Sequence, residues 1–161
     1  MEENKIGLSE ERIAEIMAHM GNFGTLRELK GISNAEIETI YGMGVDFYRA
    51  GNYKDAEKIF RFLTVFEHTS SKYWTAMGSV LQVGGRFEEA TKSYAMATLF
   101  DIHNPKPMYY AAECFMKMGD LENARKALAS LEAYGSKDTE NGRRFQAKGA
   151  ELKAKLEAEA K

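Results

Sequence analysis

The 161-residue sequence predicts an all-α protein built as a tandem array of helix-turn-helix repeats. The first observation behind this is a phrase that occurs three times: GVDFYRAGNYKDA from Gly44 to Ala56, GSVLQVGGRFEEA from Gly78 to Ala90, and AECFMKMGDLENA from Ala112 to Ala124. The second is its spacing. Positions 44, 78 and 112, positions 51, 85 and 119, and positions 56, 90 and 124 are each 34 residues apart, a period at which one helix pair cannot bury its apolar face alone and must stack on its neighbours. The third is a hydrophobic content of 44%, enough to form the core of one domain.

Taken in order, Ser9 with Glu10, Glu11 and Arg12 reads as a helix start, with a capping hydroxyl and acids in the first turn. Ile13, Ile16, Met17 and Met20 recur at helical spacing, which predicts one amphipathic helix over 9–20, stopped by Gly21 to Gly24. A short helical piece over 26–29 follows and is broken by Gly31 to Asn34. This N-terminal segment, residues 1–35, has two readings: a cap on the first repeat, which terminal repeats require, or a self-association surface formed by the stripe Ile13, Ile16, Met17 and Met20. The repeats occupy 36–134, as units 37–70, 71–104 and 105–134. Their helices are expected at 36–49 and 53–66, at 71–84 and 87–100, and at 105–118 and 121–133. Gly44, Gly78 and Ala112 sit where the paired helices must come close, and Ala56, Ala90 and Ala124 are the small partners. Trp74, Phe47, Phe60, Phe87, Tyr94 and Phe115 fill the space between. Pro105 and Pro107 open the third unit, where a first turn tolerates a missing N–H. Residues 135–161 turn to Ala, Lys and Glu with sparse anchors at Phe145, Leu152 and Leu156. They predict a charged capping helix that packs through its first half on the third repeat and frays at its end. Period and offsets together resemble the tetratricopeptide repeat, whose units stack into a right-handed superhelix.

Charge narrows the function classes. With 22 basic and 24 acidic residues the net charge is −2, and no Lys/Arg run supplies a local basic face, so nucleic acid and anionic membrane are poor partners. The single cysteine, Cys114, cannot form an internal disulfide and suits a reducing compartment such as the cytoplasm. Neither a signal peptide nor a membrane-spanning run is expected. His19, His68 and His103 are scattered and none has a second donor at i+3 or i+4, so no metal is expected. Cys114 has no neighbouring base, and Gly42-Met43-Gly44 and Gly84-Gly85 fit no phosphate-loop pattern. No catalytic constellation and no cofactor site emerge, and the chain reads as a binding protein rather than an enzyme.

In a stack of helix pairs the first helix of each pair lines the inner side of the superhelix. One stripe at helical spacing points there: Glu38, Tyr41, Val45 and Tyr48 in the first unit, Lys72, Thr75, Ser79 and Gln82 in the second, Lys106, Tyr109, Glu113 and Met116 in the third. Such a groove is apolar and aromatic at one end, hydrogen-bonding in the middle and mixed at the other, which suits an extended peptide. Tyr41, Val45 and Tyr48 offer rigid shallow pockets for proline or leucine, and Thr75, Ser79 and Gln82 offer partners for the peptide backbone. Two or three buried aliphatic side chains at roughly 1.5–3 kcal/mol each, less the ordering cost, correspond to an affinity of order micromolar.

Beyond this generic pattern, Ile40-Tyr41, Phe47-Tyr48, the run Gly51 to Phe60, Phe66-Glu67-His68, Asp101-Ile102, and Pro105 leading into Ala111-Ala112-Glu113-Cys114 resemble the class II chaperones of bacterial type III secretion, over roughly residues 25–133. The resemblance implies a cytoplasmic chaperone that masks hydrophobic translocator proteins before export. Its groove would accept a segment with a proline, a leucine and a second proline, lined by Tyr41, Val45 and Tyr48 with Phe66 at the end of the following helix. Val45 is smaller than the aromatic expected there, which implies a wider pocket. The resemblance also implies a homodimer of the free protein through Ile13, Ile16, Met17 and Met20. Two alternatives are an adaptor for another bacterial envelope machine and a clamp for the acidic C-terminus of a heat-shock chaperone. The clamp would place Lys and Asn where Tyr41 and Val45 stand, and these two residues cannot bind a carboxylate.

Overall fold

The computed structural model describes residues 9–22 and 24–159, with the side chains of Glu10, Met20 and Glu159 outside that description. Among the described residues there are nine helices and no strand: α1 (Glu10–Gly21), α2 (Leu26–Leu29), α3 (Asn34–Arg49), α4 (Tyr53–Phe66), α5 (Ser71–Val83), α6 (Phe87–Phe100), α7 (Pro105–Lys117), α8 (Leu121–Tyr134) and α9 (Glu140–Glu159). Pairs α3–α4, α5–α6 and α7–α8 are the three repeats, and each pair packs on the next through α4 against α5 and α6 against α7.

Each pair turns at a glycine held at positive φ, Gly51 at 77°, Gly85 at 74° and Gly119 at 74°, a conformation that a Cβ disfavours. The residue after the glycine then opens the second helix in one of two ways. Asn52 and Asp120 accept the backbone N–H of Asp55 and Asn123 as N-caps. Arg86, at the matching position, caps nothing. Its guanidinium instead reaches both carboxylate oxygens of Glu57 on α4, at 2.9 Å each, and Glu89 on its own helix, tying the first repeat to the second.

Close approach within each pair follows from the small residues. A Cβ on Gly44 would lie 2.6 Å from the Phe60 ring, and one on Gly78 would lie 2.5 Å from the Tyr94 ring. The third copy uses the other solution, with Ala112 and Leu128 in one apolar cluster, so the extra methyl is matched by a smaller partner than a ring. Ala56, Ala90 and Ala124 are fully buried, as their place between helices requires.

Two apolar clusters result. The larger runs through the first two repeats and into α7, and includes Ile37, Phe60, Leu63, Tyr73, Met77, Leu81, Tyr94 and Cys114. The smaller joins Met108, Tyr109, Ala112, Leu128, Leu131 and Phe145. Of the aromatics expected in the core, Trp74 and Phe115 belong to neither cluster. Trp74 is half-buried and donates its indole N–H to the carbonyl of His68 at 2.7 Å, so it pins the loop between α4 and α5.

Both ends depart from expectation. The first helix of the first repeat, α3, begins two residues earlier than predicted, because Ser33 and Glu36 form a capping box; Thr25 and Glu28 form another at α2. It is α2, not α1, that closes the first repeat: Arg27 pairs with Glu67 at the end of α4, and Ile32 packs on the larger cluster. α1 has no extended packing on the repeats and is held mainly at its last turn, where His19 Nε2 lies 3.1 Å from the Thr25 carbonyl. At the other end, the expectation that α9 packs only through its first half and then frays is corrected. Leu156 is fully buried, Lys153 pairs with Glu132 at 2.9 Å, and a Cβ on Gly149 would lie 2.4 Å from Leu131. Residues 1–8 and 160–161 of the two terminal segments lie outside the described residues.

Two glycines in α3 make the packing argument testable. Nothing lies within 4 Å of a Cβ built on Gly42, whereas one on Gly44 meets the Phe60 ring. Gly42→Ala should therefore raise stability by up to about 1 kcal/mol through helix propensity. Gly44→Ala should lower it by about 1–2 kcal/mol, because overpacking outweighs the same propensity gain. Thermal unfolding followed by circular dichroism reads both, and equal shifts for the two variants would refute the close-approach reading.

Candidate peptide-binding cleft

The first helices of the repeats do lie side by side, and between them opens a cleft of about 240 Å³ lined by Tyr41, Val45 and Tyr48 of α3, Phe60 of α4, Lys72, Thr75, Ala76 and Ser79 of α5, and Asn104 and Lys106 at the start of α7. Seven of the twelve residues of the expected stripe are therefore gathered in one place: Tyr41, Val45, Tyr48, Lys72, Thr75, Ser79 and Lys106. Phe60, Ala76 and Asn104 join them. Phe60 reads from the sequence as a core residue, and it is one, being 2% exposed; its ring packs between Gly44 and the cleft, so it serves both.

The apolar wall is rigid. Tyr41 contacts Phe60 and Tyr73 with ring centroids 6.1 and 5.5 Å apart, and Tyr48 meets Tyr53 edge-on at 5.4 Å. Burial pushes the Tyr41 and Tyr48 phenols above their ordinary range, so both stay neutral donors at physiological pH. Facing them, Lys72 bonds Glu38 and sits 4.5 Å above the Tyr41 ring and 5.0 Å above that of Tyr73. Tyr73 also donates to Glu38 at 2.9 Å. The Lys72 bond holds the Glu38 carboxyl below its usual range, while burial and that same carboxylate push the Tyr73 phenol up.

The polar residues are less available than their types suggest. Thr75 donates to the Ser71 carbonyl at 2.7 Å, leaving its oxygen to accept, while Ser79 donates to the Thr75 carbonyl at 2.9 Å and its oxygen also lies 3.5 Å from the Tyr94 hydroxyl. Gln82 is committed at both ends: its carbonyl accepts from Tyr94 at 2.7 Å, and its amide donates to Glu113 at 3.3 Å.

Glu38 and Met116 of the stripe lie outside the lining, and so do four further candidates, Gln82, Glu113, Tyr109 and Phe66. Gln82 and Glu113 belong to the internal chain just described. Tyr109 is 8% exposed in the smaller cluster and donates to Glu113 at 2.7 Å, so it is chiefly a core residue. Phe66 stacks on Phe62, with centroids 4.1 Å apart, and packs on the larger cluster. Helical spacing gives the direction of a side chain but not its partner, which is why these four looked alike in sequence.

Of the stripe on α1, Ile13 and Ile16 are half-buried and Met17 is 69% exposed; the side chain of Met20 lies outside the described residues. Cys114 is fully buried, and burial with the nearby Glu113 pushes its thiol up to about 12, which suits a packing role. No cluster of three or more His, Cys, Asp or Glu side chains with metal-ligand geometry occurs among the described residues. Nor, among them, is any helix long and apolar enough to cross a membrane.

Known proteins place this architecture. The family profile of the tetratricopeptide repeat matches residues 37–69, the first repeat. The low calcium response locus protein H of Yersinia pestis is 33% identical over 105 residues, 65% of this chain and 62% of that protein's length. PcrH of Pseudomonas aeruginosa, solved in complex with the chaperone binding region of PopD, is 30% identical with a TM-score of 0.76, covering 81% of this chain and 98% of PcrH. The type III secretion translocator chaperone SycD of Yersinia enterocolitica is 30% identical with a TM-score of 0.71, covering 84% of this chain and 98% of SycD. A shared fold at that identity over nearly the whole of both solved relatives establishes that the chain belongs to the tetratricopeptide-repeat translocator chaperones of type III secretion.

Proposed function

We propose that this chain is a chaperone that binds hydrophobic translocator proteins of a type III secretion system in the bacterial cytoplasm and masks them before export. It holds an extended apolar segment of the client in the cleft between α3 and α5, and acts by binding without catalysis. The observation that carries this reading is the cleft itself: an apolar wall of Tyr41, Val45, Tyr48 and Phe60 opposite the hydroxyls of Thr75 and Ser79, of which the Thr75 oxygen is left to accept. At about 240 Å³ it is smaller than the roughly 300–1,000 Å³ of ordinary small-molecule sites, and its size and open shape suit one or two side chains of a longer segment. The PopD complex of PcrH supports a translocator segment as the occupant. Covering such a segment removes from water the surface that would otherwise drive aggregation or premature insertion.

The function needs few residues outside the cleft. Phe66, Gln82, Tyr109 and Glu113, which the sequence also nominates, would act from behind the lining: Gln82 and Glu113 by fixing Tyr94 and Tyr109, Phe66 by supporting the end of α4. With Met17 exposed on a helix that has no extended packing on the repeats, the stripe Ile13, Ile16, Met17 and Met20 would form the contact with a second copy in the free protein.

Two measurements test these proposals. Tyr48→Ala and Val45→Arg should each reduce co-purification of a co-expressed translocator of the same secretion system at least tenfold while leaving the circular dichroism spectrum unchanged; full recovery of client by both variants would remove the cleft from the binding site. Ile13→Glu combined with Met17→Glu should convert the client-free protein from dimer to monomer in light scattering, and an unchanged mass would refute the α1 contact.

A further inference from the structure

The cleft lining is uneven in charge. It contains two ammonium groups, those of Lys72 and Lys106, and no carboxylate. The two lysines differ. Lys72 is already balanced by Glu38 on α3 and rests on the Tyr41 ring. Lys106 makes no ion pair among the described residues, and Asn104 beside it engages only its backbone N–H, at 3.2 Å. The carboxylate further along α7, Glu113, is engaged by Tyr109 and Gln82. A molecule with 24 acidic and 22 basic residues thus presents an uncommitted cation at the edge of its apolar cleft.

From this charge complementarity we infer that the segment seated in the cleft carries an aspartate or glutamate beside its apolar anchors, on the side facing α7, and that Lys106 pairs with it. The inference rests on the chaperone reading above and adds a selection rule to it. Apolar anchors against Tyr41, Val45 and Tyr48 give affinity to any extended aliphatic segment, whereas a single cation at one edge fixes register and direction along the groove. An opposed charge at the rim of an apolar site contributes modestly to affinity and more to discrimination, because a like charge in the same place is repelled. Lys72 does this less well, since Glu38 already offsets its charge and would repel an incoming carboxylate.

The test is a displayed library of random twelve-residue peptides selected in parallel on the wild-type protein, on Lys106→Glu and on Tyr48→Ala, each first shown by circular dichroism to be folded. The wild type is expected to enrich peptides with proline or leucine anchors and an Asp or Glu at a fixed offset. Lys106→Glu should enrich the same anchors with Lys or Arg at that offset. For a synthetic peptide from the wild-type selection, replacing its acid by the amide should weaken binding about threefold to fivefold, and by less in high salt. Anchored peptides with no acidic preference, or the same acidic preference on Lys106→Glu, would overturn the inference and leave the chaperone reading standing. Peptides that enrich equally on Tyr48→Ala, or no anchored peptides on the wild type, would overturn both.

Discussion

The structure depends on an aromatic ring laid against a helix that has no side chain at the point of contact. Phe60 against Gly44 and Tyr94 against Gly78 bring the two helices of a repeat closer than any Cβ would allow. That approach sets the angle of the first two pairs, and through α4 on α5 and α6 on α7 it sets the placement of the pair that follows each. The same rings then shape the inner side. Phe60 forms part of the cleft wall, and Tyr94 reaches through to hold Gln82. Packing and binding are therefore coupled at the first repeat, and a change at Gly44 alters the surface offered to a client without touching a cleft residue.

The three repeats diverge from one another in a physically ordered way. The first is aromatic and open, with Tyr41 and Tyr48 partly exposed. In the second, the hydroxyls of Thr75 and Ser79 are turned onto the helix backbone, and Gln82 is locked between Tyr94 and Glu113. In the third, Tyr109 and Tyr110 pack edge-on against Phe145 of α9, which closes the groove from that end. The gradient runs from a binding surface to a closed core along one set of equivalent positions. The cleft accordingly lies between α3, α5 and the start of α7.

Much of this was legible in the sequence, for reasons that differ by residue. The turns at Gly51, Gly85 and Gly119, the close contacts at Gly44 and Gly78 and the bounds of the repeat helices follow from the 34-residue period, because repeated local geometry leaves a repeated local signal. Tyr41, Val45, Tyr48, Lys72, Thr75 and Ser79 follow from helical spacing. Phe60 did not, since a residue with two roles shows only the commoner one. Tyr109 and Phe66 stand outside the cleft lining because they pack on Phe145 and Phe62, partners that the repeat register does not specify. Leu156 appeared to be a weak anchor on a charged helix, and its burial depends on how far α9 runs along the third repeat. The start of α3 is readable from Ser33 and Glu36, a capping box that lies outside the repeated phrase.

The central claim is that the inner cleft, and no other face, meets the client. Site-specific photocrosslinking reads this directly: a benzophenone side chain placed at Val45, in the cleft, is compared with one at Leu99, which is 72% exposed on α6 and away from the cleft lining. With a co-expressed translocator, the account predicts a crosslink from position 45 to a single short apolar segment of the client and none from position 99. A client crosslink from position 99 with none from position 45 would contradict it.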